Sequence, residues 1–301
     1  MKASNIARVI KEKIADWAKT VDNAGVREII ETKTIVTGGA IASMLLGEKI
    51  NDYDCYFRSR GATAAVASYY VDKFNDLATT TDGPAGVILP TVNILDDRIQ
   101  VMIKSAGAVG IGGGRYRYFE GEPKDDASAY IQELYSVARE KARKSDEQPY
   151  IPVYLTGNAI SLSGKVQVIT RFFGEPEQIH SNYDFVHCTN HWTAWDGLHL
   201  RQDALEALLA KELRYIGSRY PLCSVMRIRK FLKRGFYITA GQILKMLWQV
   251  SELDLRDFSV LEDQLTGVDT AYFSELLEKL REANPEKVDK AYLMTLTDKI
   301  V

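Results

Sequence analysis

The chain has 301 residues, 38 Lys and Arg against 40 Asp and Glu, a formal net charge of −2 and 46% apolar residues. That length supports a sizeable core and either two domains or one large domain with an elaborate insertion. The near balance of charge excludes a polyanionic partner met through global charge, so nucleic acid would have to be held by a local cluster. Cys55, Cys188 and Cys223 lack metal-like spacing and read as reduced thiols of a cytoplasmic protein, and no apolar run reaches the ~20 residues of a membrane span.

Taken in order, Ile6, Val9, Ile10, Ile14 and Trp17, then Val26, Ile29 and Ile30, recur at helical spacing around a break at residues 22–25, which predicts two packing helices rather than a signal peptide. Residues 34–57 follow as a β-branched run (Ile35, Val36), a Gly38-Gly39 turn, a helix over 40–46, a turn at Gly47, and an alternating strand. That strand carries Asp52 and Asp54. Residues two apart share a strand face, so the two carboxylates project together, opposite Tyr53 and Cys55, as hard oxygen donors suited to Mg²⁺.

A helix is expected over 63–77 (Val66, Tyr69, Tyr70, Phe74), a loop over 79–90 and a strand over 98–104. The glycine-rich stretch 105–115 reads as a mobile loop, because Gly112 to Gly114 lack the Lys-Ser/Thr tail of a phosphate loop. A helix is expected over 126–144. Strands resume at Ile151, with a short helical piece at 177–182 and a last strand at 183–188 that places Asp184 among Val186 and Cys188. From Asp203 the pattern is helical: 205–216, 223–233, 240–253, 259–265, 272–283 and 291–295. Between Lys211 and Arg234 stand eight basic residues and one acid, Glu212, the density expected for contact with a triphosphate or nucleic-acid backbone. The histidines lack zinc-ligand spacing and read as structural or surface residues, His191 in a turn.

Gly38-Gly39-Ala40, Leu45-Leu46-Gly47 and Asp52-Tyr53-Asp54, in one register, resemble the signature of the DNA polymerase β-like nucleotidyltransferase superfamily, and are similar to the tRNA CCA-adding enzymes and bacterial poly(A) polymerases. Asn158-Ala159-Ile160, Val166 to Ile169 and Tyr183-Asp184-Phe185 resemble nucleotidyltransferase-related proteins of bacteriophages. Arg227 to Phe231 with Arg234-Gly235-Phe236 is similar to the neck helix that follows the catalytic domain in CCA-adding enzymes.

The resemblance implies an α+β fold, a polymerase β-like mixed sheet with helices plus an all-helical C-terminal domain. Its divisions would be N-terminal helices 1–31, a catalytic domain 32–200 with an insertion around 58–156, and helices 201–301. It implies template-independent transfer of NMP from an NTP to an acceptor hydroxyl, most simply an RNA 3′ end, in the cytoplasm of a phage-infected bacterium. Asp52, Asp54 and Asp184 would be the catalytic carboxylates holding two Mg²⁺ ions, with Asp97 a rival to Asp184. Gly38, Gly39, Ser43, Arg219, Arg227 and Arg229 would bind the nucleotide. The chain departs from the pattern at Ala42-Ser43, where those enzymes carry Arg-Asp, and this leaves two other readings open: a catalytically silent RNA-binding or assembly protein, and an enzyme that transfers NMP to a protein. Nothing in the pattern assigns an oligomeric state.

Overall fold

The structure, a computed structural model, describes residues 1–80, 89–102, 108–110, 150–265 and 291–295. Helix α1 (Ala3–Lys19) buries Ile6, Ile10, Ile14 and Trp17 as one stripe. The Asn23 side chain accepts the Val26 N–H at 3.0 Å and so caps α2 (Ala24–Lys33). The chain then enters β1 (Thr34–Thr37), passes Gly38 into α3 (Gly39–Leu46), ends that helix at a left-handed Gly47, and returns antiparallel as β2 (Tyr53–Phe57). Helix α4 (Arg60–Thr80) and the ladder of β3 (Thr91–Ile94) with β4 (Ile99–Met102) follow.

Strands β5 (Ala108–Gly110), β6 (Pro152–Thr156), β7 (Ala159–Leu162), β8 (Val166–Ile169), β9 (His191–Thr193) and β10 (Gly197–His199) complete an eight-stranded mixed sheet in the order β10-β9-β1-β2-β8-β7-β6-β5. Strands β2 and β8 pair in parallel, which requires a crossover, and the residues between them supply it. Helices α5 (Pro176–His180), α6 (Gln202–Ala210), α7 (Pro221–Lys233), α8 (Ala240–Ser251) and α9 (Phe258–Leu265) follow in chain order. The class is therefore α+β, a mixed sheet with a helical C-terminal portion. Among the described residues no helix is long and apolar enough to cross a membrane.

Strand alternation divides the core. Tyr53, Cys55, Phe57, Val36, Val166 and Val168 point to the face covered by α1, α2 and α4, where Trp17 donates to the Tyr70 hydroxyl at 2.6 Å. Tyr56, Ile35 and Ile169 point to the other face, against Ile179, Tyr220 and Cys223. A third cluster joins Ala42 of α3 to Phe185, Leu208, Leu213, Phe231 and Phe236.

Four expectations are corrected. Residues 183–188 are not a strand: Phe185 makes one isolated bridge to Tyr215, and the backbone then tightens into a 3₁₀ turn, Val186–Cys188, closed by Cys188 N–H to Phe185 C=O and Thr189 N–H to Val186 C=O. His191 lies on a strand rather than a turn, because burial of Trp192 aligns β9 with β1. The helix expected to 216 stops at Ala210, where Lys211 takes φ 51° as a left-handed cap. Within the expected glycine-rich loop, Ala108–Gly110 is an edge strand on β6; the rest of that stretch, and the helices expected over 126–144 and 272–283, lie outside the described residues.

Candidate active site

Gly38 takes φ 82° and ψ −142°, a conformation open in practice to glycine alone, and its N–H donates to the Cys188 carbonyl at 3.1 Å. A Cβ built there would lie 3.0 Å from Asp54 Oδ2 and 3.4 Å from the Tyr183 hydroxyl. The turn therefore runs directly against the Asp54 carboxylate. At Gly39 a Cβ would meet nothing within 4 Å, so space opens beside the first residue of α3. The N–H groups of that first turn have no intrahelical acceptor, which favours a negatively charged neighbour.

Asp54 pairs in register with Thr37 of β1 and Gln167 of β8, at the middle of the sheet. Asp52 immediately precedes β2, and both carboxylates are half-buried while Tyr53 and Cys55 between and after them are buried on the opposite face. The expected alternation holds from Tyr53 onward, and Asp52 stands one residue outside the strand expected to carry it. Two residues on from Asp54, the buried Tyr56 hydroxyl accepts from Tyr183 at 3.1 Å. Desolvation first, then the Asp54 charge, pushes the Tyr56 phenol well above its ordinary range, and burial together with Tyr56 and Asp54 does the same to Tyr183. Neither tyrosine ionises near neutrality.

Asp184 approaches from the bend before the 3₁₀ turn. Its side chain is 6% exposed and both oxygens are engaged: Ser218 donates to Oδ1 at 3.0 Å, and Arg227 Nη1 donates to Oδ2 at 2.5 Å. The Ile216 N–H donates to its carbonyl at 3.0 Å. Arg227 reaches Asp184 from α7, with its side chain 22% exposed. Cys188 lies in the same field: burial lifts its thiol to about 12, with Arg234 and Lys230 opposing that rise and Asp184 and Asp54 adding to it. It is no nucleophile.

The basic candidates separate. Arg219 pairs with Asp97 at 3.4 Å, so the rival third carboxylate and one expected nucleotide ligand meet each other at the surface. Arg229 is on the exposed side of α7. Arg234, which the sequence reading did not list as a ligand, donates to Ser43 Oγ at 3.3 Å and to Glu48, bringing a cation to α3 from nearly 200 residues later in the chain. Lys211 stands 3.7 Å from the same glutamate. The spacing of Arg234, one turn from Lys230 and two from Arg227, was the available signal. Tyr56 was legible from its period-two relation to Asp54, but Ser218 and Tyr183 had no local signal.

Three histidines line up behind the site: His180 Nε2 lies 2.9 Å from Thr37 Oγ1, and the His180–His191 and His191–His199 ring centroids are 5.3 and 5.0 Å apart. His187 is boxed by Phe185, Phe231 and Phe236. Burial lowers His180 and His187 to about 3, helped by His191 and Arg201 for the first and by Arg234 for the second. Both are neutral under ordinary conditions.

Asp52 and Asp54 offer oxygen donors of the kind Mg²⁺ takes, and the glycine turn gives a ligand close backbone access. The expected trio is a different matter. Among the described residues no group of three or more His, Cys, Asp or Glu is arranged to hold a metal ion, and Asp184 is committed to Arg227 and Ser218.

A family model described as Gabija anti-defense 2 family protein matches residues 8–211. No curated protein matches the sequence. Among solved structures, the Thermotoga maritima CCA-adding enzyme complexed with tRNA is similar at 11% identity and TM-score 0.40, over 93% of this chain and 54% of that one. The Bacillus stearothermophilus CCA-adding enzyme in complex with CTP is similar at 14% identity and TM-score 0.34, over 78% and 44%. The chain spans about half the length of these structures.

Proposed function

The protein belongs to the Gabija anti-defense 2 family, and we propose that it counters that defence as a nucleotidyltransferase. The reaction is Mg²⁺-dependent, template-independent transfer of NMP from an NTP to an acceptor hydroxyl. The observation that carries this is the meeting of Asp54 with the Gly38 turn at the start of α3, with Asp52 half-buried two residues before it.

Bound Mg²⁺ would supply charge neutralisation for the triphosphate and a more acidic acceptor hydroxyl. Asp52 and Asp54 would hold it. The chain's own groups do the rest. Gly38 lets backbone approach the phosphates, the first turn of α3 offers free N–H groups to them, and Arg234, seated on Ser43, stands in for the cation that α3 lacks. Arg227, a nucleotide ligand by the sequence pattern, carries a planar guanidinium of the kind that suits a phosphate. Buried Tyr56 and half-buried Tyr183, hydrogen-bonded to each other, limit the access of water to the base of Asp54.

The acceptor expected from the sequence is an RNA 3′ end; the family name adds the components of the Gabija defence as acceptors. Purified protein incubated with Mg²⁺, each labelled NTP, and either total RNA or the purified Gabija proteins should label one of the two. Asp54→Ala should lower that labelling by about 10³-fold, a loss of ~4 kcal/mol in transition-state stabilisation. Equal labelling by the variant would refute the mechanism.

A second reading is favoured by the Arg227–Asp184 pair: a protein that keeps the fold and binds without transferring. Calorimetric titration of ATP with and without Mg²⁺ distinguishes them, since a silent scaffold gives no metal-dependent nucleotide binding.

A further inference from the structure

We infer that α8 is a self-association face, on which the α8 of a second copy of this chain docks antiparallel about a two-fold axis. The helix is built inside out. A surface helix of a globular protein turns its apolar stripe to the core and its polar side chains to water; α8 does the reverse. Its inward side holds Met246, 1% exposed, flanked by two glutamines. Gln242 Oε1 accepts the Tyr215 N–H at 2.9 Å. Gln249 Oε1 accepts from the Tyr215 hydroxyl and from the Ser218 N–H at 3.3 Å, and its Nε2 donates to the Ser218 carbonyl at 2.7 Å. The outward side holds Ile243, Leu244, Leu247 and Trp248, which are 40%, 43%, 52% and 61% exposed. A contiguous apolar patch on a surface helix marks a place of association.

Three features of that outward side select a copy of itself as the occupant. At ~100° per residue, Ala240, Ile243, Leu244, Leu247, Trp248 and Ser251 fall within an arc of about 140°, and Lys245, the charged residue of α8, falls outside it. The arc is also its own complement. Under an antiparallel two-fold, Ile243 meets Trp248, Leu244 meets Leu247, and the small Ala240 meets the small Ser251, so each member faces another member. Ser251 already donates its hydroxyl proton to the Trp248 carbonyl at 2.7 Å and so brings no unsatisfied donor into the contact. The charges agree as well: antiparallel docking sets the exposed Glu252, just past the C-terminus of one helix, beside the positive N-terminal end of the other. A parallel copy would bring like ends together. Two helices of 12 residues, each ~18 Å long, make a contact below ~1,200 Å², which fits a reversible dimer with Kd on the order of 10 µM.

Sedimentation equilibrium of the full chain from about 1 to about 300 µM tests this, since the mass should rise from one chain toward two across that range. Leu247→Glu, which would bury a carboxylate at the seam, should weaken the dimer at least ~100-fold. Oxidative cross-linking reads the register separately. An equimolar mixture of the Ala240→Cys and Ser251→Cys proteins should give a disulfide-linked pair. Either variant alone should not, because its two copies would lie ~16 Å apart along the seam, beyond the ~7 Å that a disulfide spans between Cα atoms. Cross-linking of the mixture no greater than that of the single variants would overturn the antiparallel docking. A dimer that Leu247→Glu leaves unchanged would overturn α8 as its seam. A single-chain mass at every concentration would overturn the proposal outright and leave the face to another segment of this chain or to a different protein.

Discussion

Asp54 and Asp184 are held by opposite means. Asp54 sits mid-sheet, paired in register on both sides, with a glycine turn pressed against it. Asp184 sits on irregular backbone, fixed by side-chain partners that arrive from residues 34 and 43 positions later. One carboxylate is placed by local chain geometry; the other is placed by tertiary contacts that bond both of its oxygens. The difference separates a group fixed by sheet register from one fixed by side-chain partners.

If the two regions are distinct, packing defects should injure them separately. Phe231 is 8% exposed and meets Phe185, His187 and Phe236 on the side that carries Arg227. Phe231→Ala should cost ~3–5 kcal/mol and weaken nucleotide binding as α7 loosens. Trp17→Ala, in the cluster on the far face of the sheet, should cost a similar ~3–5 kcal/mol and leave nucleotide affinity nearly unchanged. Urea unfolding gives the first quantity and calorimetric titration of NTP the second. Equal loss of affinity in the two variants would make the regions one cooperative unit.

The same division decided what the sequence revealed. Period-two alternation placed Asp54 and its buried neighbours Tyr53 and Cys55 on opposite faces, because a strand face is a local property, whereas Asp52 falls one residue short of the strand. The helical stripe of Ile6, Ile10, Ile14 and Trp17 was equally legible. Asp184 misled for a physical reason: its alternation with Val186 and Cys188 suggests a strand, yet that segment pairs mainly with residues 214–216 and then coils into a 3₁₀ turn. The missing cation of α3 was legible as a gap and not as its replacement, since Arg234 reaches Ser43 only through the packing of α7.

Acid should probe both regions through their buried histidines. His187 lies on the Arg227 side and His180 beside Thr37, and both fall from 6.5 to about 3 on burial. The unfolded chain takes up these protons below 6.5 while the folded one refuses them until about 3. Stability from this source is therefore full above 6.5 and is lost as pH falls toward 3. At pH 5 each histidine should cost about 2 kcal/mol. Unfolding free energies between pH 7 and 5 should show that slope, reduced by about half in His187→Phe. An unchanged slope would mean His187 is protonated or solvated in the folded protein.

The smallest expected effect is the sharpest on Asp54. At Gly38 the positive φ costs a side-chain-bearing residue ~1–3 kcal/mol, and the added Cβ would press on Asp54 Oδ2 at 3.0 Å and on the Tyr183 hydroxyl. Gly39 is helical, and a Cβ there meets nothing, so Gly39→Ala should be neutral or stabilise by ~0.4–1 kcal/mol through the unfolded chain. Adjacent and chemically identical changes should thus move stability in opposite directions. They should also divide by function: Gly38→Ala displaces the carboxylate and lowers labelling, whereas Gly39→Ala lowers it only if a phosphate uses the space beside α3. Stability and labelling measured on the two variants locate the ligand space, and a Gly38→Ala protein as stable and active as the wild type would remove Asp54 from its wall.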